Sequence, residues 1–589
     1  LSLLVAVNPY GGLAQPTDLP LVCLAVAGVC AALLLPGADA FRVLARWRVA
    51  WAFGALATWA LISSLFSGRL AGATFGTNGS ALGWPVIAVA VVIVLGSSFG
   101  ARRLRELLVW AGVAVLVVQF GMTMFEALTR TVPAGTLSNS SNAGEVIVVL
   151  APLVFWSGLR AKNRWSRVWR LAVSATALWT LVVGSARVST VALAFALLVW
   201  CAIAVGRRYG RRSGIIAGSA LVGAVLVAAS LVALKWASLS QGAIGEFART
   251  RWGLWEPALR AFAARPILGF GPDGYQVSLA RFGDRGPFVA WEYWPPSIDP
   301  HNMLLWFAVS LGAVGVGLAG WIAFEVGRSW FKQSRVDAAI PVGPIATGVV
   351  LYAVSALASP AALQTLPIAL VVLGASLRPE ATSEREMARG YALAIRWTAV
   401  VLAVLVGVYG VTRLSVSNRI SPVQPSAAQR AADLVRVDPF LYYSASLVWG
   451  YAAQQSPEVV GAERDLVAIR RAVALEPSNP FYQLELARTL VSYGAPQADI
   501  ESAYLRAIQL APASPEALAS YADYLISLGR LQGAKSLLDR AERLAKSTSA
   551  ARVFAVYYRA IGNEPEAKRY DALLHAISGA LAAPNTKGR

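Results

Sequence analysis

Between residue 19 and about residue 410 the chain returns repeatedly to apolar runs of roughly 16 to 24 residues, and that recurrence constrains the fold more than any other feature. A helix of about 20 residues crosses the hydrocarbon core of a bilayer, because only a closed set of backbone hydrogen bonds survives there. With 57% hydrophobic and 14% charged residues, the chain cannot be read as a soluble enzyme. The net charge of +20 would suggest nucleic acid in a soluble protein. Here the arginines fall in short clusters between the runs, which is a topology signal, and no nucleic-acid partner is expected.

Candidate spans are 19–38, 48–66, 82–98, 107–127, 143–158, 170–185, 188–205, 213–235, 303–326, 338–357, 361–377 and 391–412, about twelve in all, with the sixth and seventh meeting at Gly184-Ser185. Leu1 opens on a short apolar piece before Asn8-Pro9-Tyr10 with no evident cleavable signal peptide. That opening fits either a start codon read as leucine or a first span that is partly missing. Cys23, Cys30 and Cys201 all lie in apolar runs, so neither a disulfide framework nor a zinc site is expected, and no cofactor is called for.

Orientation follows from the loops. Arg42, Arg46 and Arg48 lie in one; Arg102, Arg103 and Arg105 in another; then come Arg160 to Arg170, Arg207 to Arg212, and Arg328 to Arg335. With twelve spans all five clusters fall on one face, the cytoplasmic one, while the loops at 67–81 and 129–142 are nearly free of cations. This parity puts the 236–302 loop and everything after residue 413 outside. Chemistry there has no access to ATP or nucleotide sugars and must draw on an energy-rich donor carried across the bilayer.

From about residue 425 the pattern changes to short amphipathic helices punctuated by Val437-Asp438-Pro439, Leu475-Glu476-Pro477-Ser478-Asn479-Pro480 and Leu510-Ala511-Pro512-Ala513-Ser514-Pro515. The last two lie 35 residues apart, with Ala472 and Ala507 at matching places where helices would cross. Paired helices with proline opening each new pair resemble tetratricopeptide repeats. The expected architecture is all-α: a polytopic transmembrane bundle over 1–413 with a large extracytoplasmic loop at 236–302, then an extracytoplasmic α-solenoid over 425–580. Such a tail usually binds a protein partner or stabilises an assembly.

The wet stretch from Gly245 to Asn302 holds most of the residues capable of chemistry. His301, one of two histidines in the chain, stands where a polar loop meets an apolar run, with Asp299 two residues before it as an orienting group. A helix-capping histidine is the plain alternative, and Asn302 is placed to begin the helix. Arg249 and Arg251 precede Trp252 and Trp255 in an amphipathic segment, 246–264, where Arg251, Trp255 and Leu259 share one face. Guanidinium forks suit phosphate oxygens, though an interfacial helix with its tryptophan belt would look the same. Arg187, in Gly184-Ser185-Ala186-Arg187-Val188, is a cation on a face that should be poor in them, or a snorkelling arginine at a helix end. Gly269-Phe270-Gly271-Pro272-Asp273-Gly274-Tyr275 lacks the flanking strand and Lys-Ser/Thr pair of a phosphate loop and reads as a tight turn needing unusual dihedrals.

Taken in order, Gly135-Thr136-Leu137 with Asn139 and Asn142-Ala143, Ser185-Ala186-Arg187, Arg251 through Trp255 to Pro266-Ile267-Leu268-Gly269-Phe270-Gly271, and His301-Asn302 with Leu305 resemble the O-antigen ligase and polymerase superfamily of membrane glycosyltransferases over roughly 80 to 380. The resemblance implies metal-independent, inverting transfer of a glycan from undecaprenyl diphosphate to an acceptor hydroxyl on a glycan, lipid or protein. It implies His301 as the base that activates the acceptor, and Arg187 and Arg251 as holders of the donor diphosphate, with Arg249 as substitute for Arg251. Asp299, Asn302, Asn142, Trp255 and Tyr275 are the candidates for orienting groups or substrate contacts. This chain departs from the usual Ser-Arg-Gly in having Ala186-Arg187-Val188. The expected setting is a bacterial inner or plasma membrane and surface polysaccharide assembly. The competing class is a polysaccharide transporter or scaffold whose repeats dock a partner.

Overall fold

The computed structural model describes residues 18–35, 44, 46–76, 82–129, 140–184, 186, 188–193, 243–283, 299–333, 342–357, 363–378, 389–415, 424–455, 463–544 and 548–582. Every element among them is a helix. The first part comprises α1 (Asp18–Leu34), α2 (Arg48–Phe66), α3 (Leu70–Phe75), α4 (Trp84–Phe99), α5 (Ala101–Leu128), α6 (Ser140–Leu159) and α7 (Arg164–Val183). After these come α8 (Ala243–Ala264), α9 (Tyr275–Phe282), α10 (Met303–Gln333), α11 (Val342–Ser355), α12 (Leu366–Ser376) and α13 (Arg389–Ser415). Nine further helices follow among the described residues: α14 (Pro425–Leu434), α15 (Pro439–Gln455), α16 (Arg464–Leu475), α17 (Pro480–Ser492), α18 (Gln497–Leu510), α19 (Pro515–Ser527), α20 (Leu531–Leu544), α21 (Thr548–Ala560) and α22 (Glu564–Ala582).

Among the described residues, five stretches are long and apolar enough to cross a membrane: Arg48–Phe66, Arg103–Leu128, Asn142–Leu159, Met303–Gln333 and Ile395–Leu414. Pro20–Leu34, Trp84–Phe99, Gly343–Ser355 and Leu366–Ser376 are apolar but shorter. Of the expected spans, 213–235 and all of 188–205 beyond the helical turn at 188–193 lie outside the described residues. On α5, Leu108, Val115 and Leu116 are buried, whereas Leu107, Trp110, Val117, Phe125 and Leu128 face outward. An exterior of that kind is unfavourable against water and neutral against lipid, so the chain is a membrane protein.

In the bundle α1 packs on α4 and α13, α2 on α10, α12 on α4 and α11, and α6 on α5, α7 and α11. Small residues allow backbones to touch at several of these crossings, most tightly at two. A Cβ on Gly96 would stand 2.0 Å from the Ala31 carbonyl oxygen, and one on Gly348 would stand 2.2 Å from that of Val149.

The run expected as a single span at 303–326 is two helical pieces. Gly312 has φ 69° and ψ −168°, and the turn following α8 enters the gap. There the Ala313 N–H donates to the Pro266 carbonyl at 2.7 Å, and the Phe270 N–H to that of Val309 at 2.8 Å. The backbone groups freed by the break are thus paired with another segment, as a low-dielectric setting requires.

From α15 onward the helices pack in consecutive pairs, α15 with α16, α17 with α18, α19 with α20 and α21 with α22. Proline opens the first helix of three pairs, and the side chains of Asn479 and Ser514 cap α17 and α19. Ala472 and Ala507 are fully buried in a core continuous from Leu441 to Phe554, where Tyr504 stacks on Tyr521 at 5.2 Å. Ala280 of α9 belongs to that same core, so these helices pack directly on the segment that precedes the candidate site.

Candidate functional site

The site is built outward from the turn between α8 and α9. Gly269 and Gly271 have φ of 68° and 84°, and Asp273 joins them at 58°, so the left-handed backbone anticipated from the glycine spacing is present. The turn folds α9 back on α8, and Leu254, Ala258, Ala261, Phe270, Tyr275, Leu279 and Val309 close a small apolar core between α8, α9 and α10. Tyr275 is fully buried, and its hydroxyl donates to the Leu254 carbonyl at 2.9 Å. Its place is therefore in the packing under α8. Burial pushes its phenol well above the ordinary range, with the charge of Asp299 adding to the rise.

With α8 so fixed, its Arg251–Trp255 edge meets the turn at 299–302. The indole Nε1 of Trp255 donates to the Pro300 carbonyl at 3.1 Å. Burial holds the Arg251 guanidinium below its usual value while the negative charge of Asp299 pulls it back up, which puts Arg251 within electrostatic reach of that carboxylate. Leu259, expected on the same face, is exposed together with Trp252, because the inward face of α8 is Leu254, Ala258 and Ala261. Arg249 belongs to α8, but its side chain lies outside the described residues.

Asp299 organises His301. One carboxylate oxygen, Oδ1, accepts the His301 backbone N–H at 2.6 Å and lies 2.9 Å from its Nδ1. To present both groups to one oxygen, His301 takes φ 51°, a conformation rare for a residue with a Cβ though more common for histidine than for most. Its side chain is 15% exposed and that of Asp299 is 3% exposed. Asn302 caps α10, its Oδ1 accepting the Leu305 N–H at 3.1 Å, and the Met303 N–H donates to the Ala356 carbonyl at 2.9 Å.

That last bond leads to the other candidates. Beside Ala356, the Ser355 hydroxyl lies 3.4 Å from that of Ser189, and a Cβ on Gly144 of α6 would press on Ser189 and Ala186. Arg187 lies outside the described residues, but its described neighbours Ala186 and Ser189 are at this junction. Asn142 at the start of α6 donates to Gln364, and Thr365 donates to Glu145 at 2.7 Å and contacts the Tyr352 hydroxyl at 3.2 Å. The start of α10, the end of α11, the start of α12, α6 and the 186–193 segment thus converge, and the structure brings Asn142 and the surroundings of Arg187 to the same end of the bundle as His301.

Sequence reasoning passed over the buried Glu145, although an acid inside an apolar run is a signal in itself. It also passed over Arg69, a lone cation in a loop otherwise nearly free of them. Arg69 is buried against Glu476, Nη2 to Oε1 at 2.7 Å, with side chains 3% and 0% exposed. Nearby, Arg265 donates to the Ser67 carbonyl at 2.6 Å and lies 4.8 Å from the centre of the Phe270 ring.

No curated protein matches the chain. Residues 172–320, which carry α8, the 269–275 turn, Asp299, His301 and the first part of α10, match the model of the O-antigen ligase family.

Proposed function

We propose that the chain is a glycosyltransferase of surface polysaccharide assembly. It would move a glycan from a polyprenyl diphosphate, undecaprenyl diphosphate in bacteria, to an acceptor hydroxyl on the outer face of the cytoplasmic membrane. The observation that carries this reading is the contact of His301 with Asp299 beside α8, whose Arg251–Trp255 edge Trp255 ties to Pro300, inside the residues similar to O-antigen ligases. The outward orientation rests on the arginine-rich loops.

In this reading Asp299 holds Nδ1 of His301, and Nε2 takes the proton from the acceptor hydroxyl as its oxygen attacks the anomeric carbon. The carbon–oxygen bond to the diphosphate breaks from the opposite face, its electron pair passing to the leaving phosphate, so configuration inverts. Arg187 with Arg251, or with Arg249 in the place of Arg251, neutralises the charge that collects there, a role that otherwise falls to a metal ion. Trp255 sets the height of the 299–302 turn over α8, Asn302 and Asn142 fix the helix ends that border the cavity, and Tyr275 supports α8 from below. The acceptor is a growing polysaccharide chain in the default reading, and lipid A core or a protein hydroxyl in the alternatives. The helices after residue 425 form a repeat solenoid on the same outer face.

The test is reconstitution of the full chain in liposomes with a synthetic polyprenyl-diphosphate oligosaccharide. Conjugated or polymeric product is expected from the intact protein and none from His301→Ala or Arg251→Ala of unchanged fold. Full product from the histidine variant would reject the mechanism, and glycolipid translocation without bond formation would favour a transporter.

A further inference from the structure

We infer that the C-terminal helices are a working part of the transfer site, and that Arg69 and Glu476 are a positioning pair that sets the turn between α8 and α9. This rests on the site proposed above. The two residues are 407 positions apart, yet Arg69 Nε donates to Glu476 Oε1 at 2.7 Å, its Nη2 makes ion-pair contact with the same oxygen at 2.7 Å, and its Nη1 reaches the Phe270 carbonyl at 3.5 Å. The far oxygen of Glu476 accepts from the Asn479 amide at 3.2 Å, so the repeat segment supplies both the acid and the group that aims it.

Removing one partner of a buried ion pair leaves an uncompensated charge, so each of these side chains fixes the position of the other. What the pair holds is the 265–275 turn. Gly72 leaves room for it, since a Cβ there would stand 2.5 Å from the Glu476 carboxylate. On the other side of the turn, Phe270 hydrogen-bonds α10 at Val309, Tyr275 fixes α8 at Leu254, and Trp255 of α8 fixes Pro300 beside His301. The path from Glu476 to His301 therefore runs through contacts between rigid pieces, with hydrogen bonds at each junction.

A second seam runs alongside. Arg413, at the end of α13, lies fully buried 4.1 Å from the centre of the Phe440 ring, and Asp438 at the turn into α15 is buried beside it. Two arginines from the membrane part are thus enclosed by acids and a ring from the C-terminal helices. A module that merely recruited partners would need no such buried charges against the bundle.

The experiment uses the full chain in detergent or nanodiscs and reads hydrogen exchange of the 265–283 and 299–311 backbone together with kinetics. Glu476→Gln is expected to speed exchange in both segments tenfold or more and to lower kcat at least tenfold, with KM for acceptor changed less than threefold. Asn479→Asp, which keeps the helix cap but sets a like charge against Glu476, should do the same to a smaller extent and is read alone if Glu476→Gln does not accumulate. Glu516→Gln, which breaks the Arg488–Glu516 pair within the C-terminal helices, should leave exchange and kcat unchanged at the site. Unaltered exchange at 265–283 in the Glu476 and Asn479 variants would overturn the inference, even where melting temperature falls. Coupled exchange in a protein that transfers no glycan would leave standing the setting of the turn by Arg69 and Glu476 and remove the proposed function instead.

Discussion

Replacing Asp299 by alanine removes the single oxygen that takes the His301 backbone N–H at 2.6 Å and faces its Nδ1 at 2.9 Å. Hydrogen bonds to a charged group contribute about 1.5–3 kcal/mol each. Left-handed backbone at a residue with a Cβ costs about 1–2 kcal/mol, so at φ 51° His301 relaxes once its anchor is gone. Only the share of that energy that keeps the ring aligned bears on rate. Taking the equivalent of one strong bond, about 3 kcal/mol, kcat should fall roughly hundredfold, since 1.36 kcal/mol is a factor of ten. Asp299→Asn keeps an acceptor oxygen without the charge, and the loss should be about tenfold. The assay is initial-rate transfer in proteoliposomes with the lipid-linked oligosaccharide, repeated in the His301→Ala background. There Asp299→Ala should have little further effect. If the two losses multiplied, Asp299 would be acting through Arg251 and the orienting role would be refuted.

Trp255→Phe keeps the ring but loses the Nε1 bond to Pro300, worth about 1 kcal/mol, and should lower kcat about fivefold, whereas Trp252→Phe on the exposed face should not; equal rates for the two variants would contradict this. Gly312→Ala puts a Cβ 2.0 Å from the Ile267 carbonyl oxygen at a φ of 69°, and no rotamer relieves a backbone clash. A destabilisation of about 3 kcal/mol or more is expected, read as a lower melting temperature in detergent. Asp438 is pushed up to about 6 by burial, with Arg413 pulling the other way. Its value in an unfolded chain is about 3.9, so between those values the folded chain holds a proton that the unfolded chain has released. This group's contribution to stability therefore rises as pH falls from about 6 toward 4. Asp438→Asn should remove that slope from a pH series of melting curves, and identical slopes for both proteins would count against it.

The helical, membrane-crossing character was legible because apolar run length is a local property, and so was the contact of Asp299 with His301, because it spans two residues. The cap at Asn302 and the left-handed turn at Gly269 and Gly271 were equally local. The interruption of α10 was not legible: Gly312 is one glycine in an apolar run, and only the arrival of Pro266 and Ile267 from another segment makes it a break. Leu259 was placed on the Arg251 face by helical spacing, but which arc of α8 turns inward depends on where α9 and α10 lie against it. Arg69 and Glu476 belong to stretches read as a loop and a repeat boundary, and nothing in either predicts a partner 407 positions away. The criterion applied to Arg187, a cation on a cation-poor face, would have marked Arg69 as well.

The interruption at Gly312 also bears on how the protein copes with its solvent. Bilayers differ in thickness, and a crossing helix answers such differences by tilting. Were α10 one uninterrupted rod, each degree of tilt would swing its tip, and His301 with it, away from α8. Divided at Gly312, the helix is instead pinned on both sides of the break, through Val309 and Ala313, to the turn after α8, so a lean is resisted at that point before it reaches the imidazole.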